Sequence, residues 1–224
     1  MVKALPFRTS SGAGSRIWPV VHEERRALIS DLEQLQPSLW QTPSLCPDWS
    51  VHDVLAHLVD TAKTNRLGFV GSLIAARFDF DRANALGVAR ERAEDPVRTL
   101  DRLKSVQARK TGPPVPLATR LVEAFIHGED IRRPVGIHRT YPPAHVVTAL
   151  KYQLKTSIKT GGGKERAKGW RLVATDEGFR HGSGPEVRGP AIVLLLAVSG
   201  RPVLPHELAG PGAASFIRGT EETP

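Results

Sequence analysis

Apolar residues recur at three- and four-residue spacing in four separate segments between Trp18 and Ile131. This spacing places the apolar side chains on one face of an α-helix, and that face must pack against a partner. The four predicted helices begin near Trp18, Val51, Pro96 and Leu117. Four amphipathic helices in one stretch of chain predict a four-helix bundle.

The starts of two of these helices carry capping residues. Ser50, followed three residues later by Asp53, has the pattern of a capping box, and Asp95 precedes a proline at the first turn of the third helix. We expect the second helix to reach about residue 76, and a polar passage at 77–94 to follow it. The first helix is expected to end near a proline after Leu35.

The pattern changes after Pro134, where VGIHRTYPPAH is a proline-rich connection typical of a domain boundary. We therefore divide the chain into a flexible leader at 1–16, the bundle at 17–136 and a smaller domain at 137–224. The fold class is α+β, mainly α.

The predicted smaller domain mixes helices and strands. It is expected to hold a helix at 145–158, a strand in WRLVATD, a hairpin in FRHGSGPEVRG, a buried helix in PAIVLLLAVSG and a last strand in AASFIRG.

Composition limits the classes of partner. The net charge of +8 permits anionic ligands, but the basic excess lies mostly in one segment at 155–171, and no helix-turn-helix, RNP or zinc-finger pattern accompanies it. We expect a solvated loop there, which argues against nucleic acid as a partner. No apolar run approaches the roughly 18 residues of a membrane span, so no membrane partner is expected. The single cysteine, Cys46, fits a reducing compartment, and we expect a cytoplasmic protein.

Glu123 and His127 stand four positions apart in LVEAFIHGEDIRRPVG, within an otherwise apolar helical stretch. Residues four apart lie one above the other on a helix, so these two can hold one ion or can simply pair with each other. Catalytic zinc sites commonly use three ligands from histidine and carboxylate and leave one position open. His57, on the apolar face of the second helix, is the best third candidate.

Other candidates for chemistry are weaker. His52 competes with His57 but is expected to be exposed, and Asp53 could accept a hydrogen bond from a ligating imidazole, although capping is its favoured role. Cys46 lies four residues before Ser50, too far for a strong helix-dipole effect on its thiol, and a packing role is favoured.

Two segments resemble the mycothiol-dependent maleylpyruvate isomerase family of actinobacteria. TPSLCPDWSVHDVLAHLVD resembles the N-terminal signature of that family, and LVEAFIHGEDIRRPVG resembles its second signature. The segment KGWRLVATDEGFRHGSGPEVRGPAIVLLLAVSGRP is similar to its sterol-carrier-like C-terminal module. The chain departs from the family pattern at Asp48, where glycine is more usual, and this puts the shape of that turn in question.

The resemblance implies a DinB-like four-helix bundle that binds a divalent metal, usually zinc, through residues that fall on His57, Glu123 and His127. It also implies mycothiol or a similar low-molecular-weight thiol as cofactor. A cation can stabilise the thiolate, which would add to a small electrophilic substrate in an isomerase or S-transferase reaction. We expect this substrate to be anionic.

Arginines near this predicted site can have a catalytic or a structural role. Arg201, in SGRP, is a position that the family pattern shares and is a candidate catalytic residue for an anionic substrate. Arg132 and Arg133 are favoured as structural residues that complement a helix end. The alternative function is a non-catalytic stress-response protein of the same fold that binds metal and an apolar ligand.

Overall fold

The computed structural model describes residues 11–221, with side chains at 16–219. Its helices are α1 Ser11–Glu33, α2 Val51–Lys63, α3 Arg66–Ala75, α4 Phe80–Glu91, α5 Pro96–Val106, α6 Ala118–Arg132, α7 Pro143–Gln153, α8 Ala191–Val198 and α9 Ala213–Glu221. The strands are β1 Arg171–Ala174, β2 Arg180–His181 and β3 Glu186–Gly189. The predicted fold class, α+β and mainly α, is confirmed. Within 11–221, no helix combines the length and the apolar character needed to cross a membrane.

Helices α1, α2, α5 and α6 pack together as the predicted four-helix bundle. The bundle core is formed by buried leucine and valine side chains, among them Leu28, Leu32, Val54, Leu55 and Leu103. Because each helix contributes residues at three- and four-residue spacing, the apolar faces meet in one core.

Both predicted caps of the bundle are present. Ser50 accepts a hydrogen bond from the Asp53 backbone at the start of α2, and the Asp53 carboxylate accepts in return from the Ser50 backbone. At the start of α5, Asp95 accepts from the backbone of Val97.

The structure corrects three predicted boundaries in the first half of the chain. Helix α1 begins at Ser11, inside the segment predicted as a leader, whereas residues 1–10 of that leader lie outside the described residues. The second predicted helix is two helices, because Thr64 is extended and Asn65 caps α3. The passage at 77–94, for which only polar character was predicted, holds α4, which Asp79 caps.

Helices α3 and α4 form a hairpin, the α3–α4 hairpin, which lies outside the bundle and packs through α4 on α2. Gly87 lies so close to the Asp60 carboxylate that this side chain would have to shift if a Cβ atom were added there. In contrast to α2, the ten residues of α3 include none that is fully buried.

The second half contains a three-stranded sheet in the order β2-β1-β3. β1 pairs antiparallel with β2 and parallel with β3. Strands therefore do form in the predicted hairpin segment, but they flank β1 instead of pairing with each other. α8 is the predicted buried helix, and it packs against α7 as well as against the sheet.

The predicted last strand is wrong, since that segment forms α9. Its buried residues are Ala213, Phe216 and Ile217, which are spaced as on one helical face. A short apolar run can serve either structure, and packing on α8 and β3 decides it here.

A second core joins the two halves of the chain. It includes Ile17 of α1 and Phe125 of α6 together with Leu150, Leu172 and Leu195 from the region beyond residue 136. The bundle helices and the later elements thus share one apolar interior, and the division into domains at 136 stays a prediction.

Candidate functional site

His57 on α2 and His127 on α6 are brought together as neighbours. Their ring centroids lie 4.8 Å apart, with the ring planes 76° from parallel. The two helices are adjacent in the bundle, so one turn of each can face the other. The sequence prediction that the second and last bundle helices meet at these residues agrees with this geometry.

His57 is held in an environment that favours the neutral imidazole. Its side chain is buried beside Trp49, with 5.0 Å between ring centroids, and its Nδ1 atom makes no hydrogen bond within the described part of the chain. Burial, reinforced by His127, lowers the pKa of His57 to about 3. A neutral imidazole retains a lone pair that can accept a proton or bind a metal.

Glu123 completes the predicted trio but has other partners. Thr61 donates its hydroxyl hydrogen to Oε1 at 2.7 Å, and the Nη1 atom of Arg120 lies 2.9 Å from Oε2. Burial would raise the pKa of Glu123, yet Arg120, His57 and Thr61 together lower it, so the group is a carboxylate.

His127 is oriented by Asp130, one helical turn further along α6. The Nδ1 atom of His127 lies 2.9 Å from Oδ2 of Asp130. Despite burial, hydrogen bonds from His127 and Arg201 lower the pKa of Asp130, so this carboxylate can only accept. Nδ1 of His127 therefore carries a hydrogen, and Nε2 is the nitrogen that holds the lone pair in the neutral ring. Metal-binding histidines commonly have such a carboxylate behind them.

Arg201 reaches the same carboxylate from the turn after α8. Its Nε donates to Oδ1 of Asp130 and its Nη2 donates to Oδ2, both at 2.9 Å. Asp130 is fully buried, and its hydrogen bonds raise the pKa of Arg201 although burial opposes this. The candidate catalytic arginine thus forms a bidentate ion pair with Asp130, the same carboxylate that contacts His127.

The predicted metal trio does not form a ready coordination sphere. Among residues 11–221, no three histidine, cysteine, aspartate or glutamate side chains stand in an arrangement that could hold a metal ion. The two imidazoles are adjacent, but the Glu123 carboxylate faces Arg120 and Thr61 instead. The role of His57, Glu123 and His127 as metal ligands stays a prediction.

Two cavities meet at these three side chains. The first cavity, of about 340 Å³, is bounded by Phe69, Leu73, Phe80 and Arg120 on the side of the α3–α4 hairpin. The second cavity has a volume of about 770 Å³.

The lining of the second cavity is drawn from both halves of the chain, and its polar members include Asp48, Arg82, Gln153, Ser199 and Arg201. His57, Glu123 and His127 line both cavities, so a ligand in either one can reach them.

Two of the weaker candidates have structural roles. His52, expected to be exposed, is instead fully buried, with Nε2 2.9 Å from the Thr99 hydroxyl. Asp53 accepts hydrogen bonds from Ser50 and from Nε of Arg92, so it caps α2 and does not orient His57.

The two arginines that end α6 also have structural partners. Arg132 is fully buried against Asp31 and Tyr141, and Arg133 bridges Glu129 and Glu207. These contacts agree with the structural role favoured for both from the sequence.

Cys46 lines the second cavity, but burial raises the pKa of its thiol to about 11. At neutral pH this side chain is therefore a thiol and a poor nucleophile, which agrees with the packing role predicted for it.

Sequence reasoning missed Asp130 as the partner of His127. The spacing signal was available, because a carboxylate three residues after a histidine on a helix lies within its reach. Its second partner, Arg201, follows 71 positions later, and no local pattern connects the two.

Comparison with a family model concerns the part of the chain that contains His57. Residues 21–111 match the model of the mycothiol maleylpyruvate isomerase N-terminal domain. Over these residues the chain is similar to that domain. The family resemblance found in the sequence is thereby confirmed. The match includes His57 but ends before Glu123 and His127.

Two solved structures resemble the chain over most of its length. One is the crystal structure of the mycothiol-dependent maleylpyruvate isomerase, and the other is a variant of that enzyme in which a histidine is replaced by alanine. Each has a TM-score of 0.63 and 15% sequence identity, and the alignment covers 92% of this chain and 97% of the other. At this identity the likeness establishes a shared fold. No curated protein matches the chain.

Asp48 is the position within this domain at which the chain departs from the family pattern. This residue has a φ of 63°, in the left-handed region that glycine adopts without strain. The turn keeps the backbone shape expected for glycine, and an aspartate tolerates it.

Proposed function

We propose that the protein is a metal-dependent enzyme that uses mycothiol or a similar low-molecular-weight thiol to isomerise a small electrophile or to transfer the thiol to it. The proposal rests on one observation above all. Two adjacent imidazoles and a buried carboxylate lie where two cavities meet, so that two ligands can reach the same side chains. The thiol cofactor is inferred from the resemblance to the mycothiol-dependent family.

The donor set fits a divalent cation, most often zinc. Two imidazoles and one carboxylate are a common set of protein ligands for catalytic zinc, and they leave a position open. His57 has an unpaired, buried Nδ1 and a lowered pKa, and His127 is fixed by Asp130 with one nitrogen free. We propose that His57, Glu123 and His127 would hold the ion.

Glu123 would have to exchange partners to take part. Its two oxygens contact Thr61 and Arg120 in the structure, and both of these residues line the first cavity. A cation would compete with the Arg120 guanidinium for the same carboxylate, since both offer positive charge at close range. Metal binding and release of Arg120 would therefore be linked.

A divalent cation at this position would favour the thiolate form of the cofactor at neutral pH. The surrounding residues then have separate tasks. Asp130 holds the His127 ring in one orientation and one tautomer. The second cavity offers polar groups to the thiol cofactor, and Arg201, which lines it, would attract an anionic group.

The nucleophile would come from the cofactor, because Cys46 is unsuited to the task. The raised pKa of its thiol leaves little thiolate at neutral pH. A low-molecular-weight thiol stays reduced in the cytoplasm, which is where we propose that the protein acts.

The test is metal analysis of the purified protein together with the variants His57→Ala, Glu123→Ala and His127→Ala. We expect wild type to bind close to one equivalent of zinc and each variant to bind much less, without loss of helical signal. His138→Ala, at an exposed histidine, is the control and should bind as wild type does. Full occupancy in all three site variants would refute the proposed site.

Turnover distinguishes the enzyme from the alternative. Consumption of mycothiol, or isomerisation that depends on catalytic amounts of it, supports the enzyme. Bound zinc without any thiol-dependent turnover, together with a copurified apolar ligand, would favour the non-catalytic ligand-binding protein.

A further inference from the structure

Helix α3 presents an apolar face to solvent. Leu67, Val70 and Ile74 are 85%, 48% and 60% exposed. Gly71, also exposed, completes this face at the same three- and four-residue spacing. These four residues form the outer stripe of α3. An apolar helical face normally packs on a partner, yet the described part of the chain leaves the outer stripe open to water.

The apolar surface continues beyond the outer stripe. Phe78, in the turn that ends α3, is 72% exposed, and Leu86 of α4 borders a groove of about 320 Å³ that Gly68, Gly71 and Ala75 also line. The outer stripe, Phe78 and Leu86 together expose roughly 600 Å² of apolar side chain, the upper limit for a patch on a typical monomer. Two such faces would bury about 1,200 Å², and specific protein interfaces begin at this size.

The outer stripe matches itself when one helix is turned end to end. Positions 67, 70, 71 and 74 are symmetric about a point between Val70 and Gly71. In an antiparallel pair of α3 helices, Leu67 of one copy would pack on Ile74 of the other. Val70 would lie over Gly71 of the other copy. A Cβ atom added at Gly71 would meet nothing within 4 Å, so this position has space for the valine side chain.

The charges at the ends of α3 also favour the antiparallel direction. Arg66 is the first residue of the helix, whereas Arg77, Asp79, Asp81 and Arg82 follow its end and carry no net charge together. A parallel pair would bring the two copies of Arg66 together, and an antiparallel pair separates them. The two carboxylates also disfavour an anionic lipid surface, which attracts clusters of lysine and arginine.

We propose that the protein forms a two-fold symmetric homodimer through the outer stripe, with the two α3 helices antiparallel. This contact is independent of the thiol chemistry proposed above. Phe69 and Leu73, which lie on the opposite face of α3, line the first cavity. The second copy would therefore support one wall of that cavity from behind.

Sedimentation velocity of the full-length protein, between about 1 and 100 µM, measures the association. We expect wild type to form a dimer with a Kd of about 10 µM or lower, because interfaces of this size have micromolar or tighter affinities. Wild type that stays monomeric at about 100 µM overturns the proposal.

Val70→Glu and Val97→Glu form a matched pair of variants. Both valines are about half exposed, at 48% and 53%, but Val97 lies on α5. Val70→Glu places two carboxylates beside the symmetry axis and should raise Kd at least about tenfold. Val97→Glu should change Kd by less than about twofold. Because both sites are exposed, both variants should keep the circular dichroism of the folded protein, and equal Kd values overturn the proposed contact.

Disulfide cross-linking with oxidised glutathione tests the direction of the helices. In an antiparallel pair, position 70 lies beside its own copy, so the Val70→Cys variant should form a covalent dimer. Position 67 lies about 10 Å from its copy along the helix, so the Leu67→Cys variant should not. Wild type, whose single cysteine is Cys46, gives the background. Equal cross-linking at both positions, or none at position 70, overturns the antiparallel dimer.

Two other occupants of the outer stripe would give different results. A monomer that sediments with vesicles of phosphatidylcholine and phosphatidylglycerol, but not after Val70→Glu, would assign the stripe to a lipid surface. A monomer that dimerises only after deletion of residues 1–10 would assign it to that segment. Either result overturns the dimer of the full-length protein.

Discussion

The carboxylate of Asp130 lies 2.9 Å from Nδ1 of His127 and is completely buried behind that ring. A buried acceptor fixes both the orientation of the imidazole and the nitrogen that carries the hydrogen. Asp130 therefore determines which nitrogen of His127 is available as a ligand.

We predict that Asp130→Asn lowers zinc affinity about 10- to 100-fold, as loss of the carboxylate partner of a ligating histidine generally does. The affinity is measured by competition with a chromogenic chelator. Asp31→Asn is the control, because Asp31 pairs with Arg132 and not with either site histidine. Equal affinities of the Asp130→Asn protein and wild type would show that Asp130 does not position the ligand.

Arg132 should contribute to stability and not to the chemistry. Its side chain is fully buried between Asp31 and Tyr141. Arg132→Met leaves the partners without their cation and should lower the free energy of unfolding by about 3–5 kcal/mol. Arg26→Met removes an exposed ion pair and should cost less than about 1 kcal/mol.

Urea denaturation measures both changes. Zinc content per folded molecule should stay at the wild-type value in the Arg132→Met protein, since Arg132 contacts none of the proposed ligands. Loss of zinc with little loss of stability would contradict a structural role.

His52 should make stability depend on pH. Burial, reinforced by Arg92, lowers its pKa from 6.5 to about 4. Between these values the unfolded chain takes up a proton that the folded chain does not, so stability falls as the pH falls from about 6.5 towards 4.

The measurement is the free energy of unfolding as a function of pH. His52→Gln should reduce its slope in this range by up to about 1.4 kcal/mol per pH unit, which corresponds to one proton. His138→Gln, at an exposed position, should leave the slope unchanged. A wild-type slope in the His52→Gln protein would mean that His52 does not carry the effect.

Asp48 offers a test of backbone conformation. Because its φ is 63°, a residue with a Cβ is strained there unless, like aspartate, it tolerates the left-handed region. Asp48→Gly should be at least as stable as wild type, and Asp48→Ala should be less stable than Asp48→Gly by about 1 kcal/mol. Thermal unfolding of the three proteins decides this, and an alanine variant as stable as the glycine variant would argue against strain.

The parts of the fold that local sequence determines were predictable. The capping box at Ser50 and Asp53 is a pattern within four residues, and the helix start after Asp95 is equally local. The break before Asn65 was missed because the apolar spacing continues across it, although Asn65 is itself a good capping residue. α9 was predicted as a strand because its apolar run is too short to distinguish a helix from a strand.

The candidate site divides in the same way. The neighbourhood of His57 and His127 followed from helical spacing and from the packing of two bundle helices. Arg120 and Glu123 are also only three positions apart, so their ion pair could have been predicted from the sequence. Arg120 would then have been recognised as a competitor of the metal for the Glu123 carboxylate. The contact of Asp130 with Arg201 depends on how the later elements pack on α6, and no local pattern encodes it.

Helix α6 supplies side chains to both apolar cores, Phe125 to one and Ile131 to the other, and it bears Glu123 and His127 between neighbours that each core holds in place. Substitutions that loosen either interior would thus shift this single helix. Inactivating mutations are expected to be scattered widely through the chain, far from the histidines, and tolerance to mutation would be no greater in the C-terminal half than in the bundle.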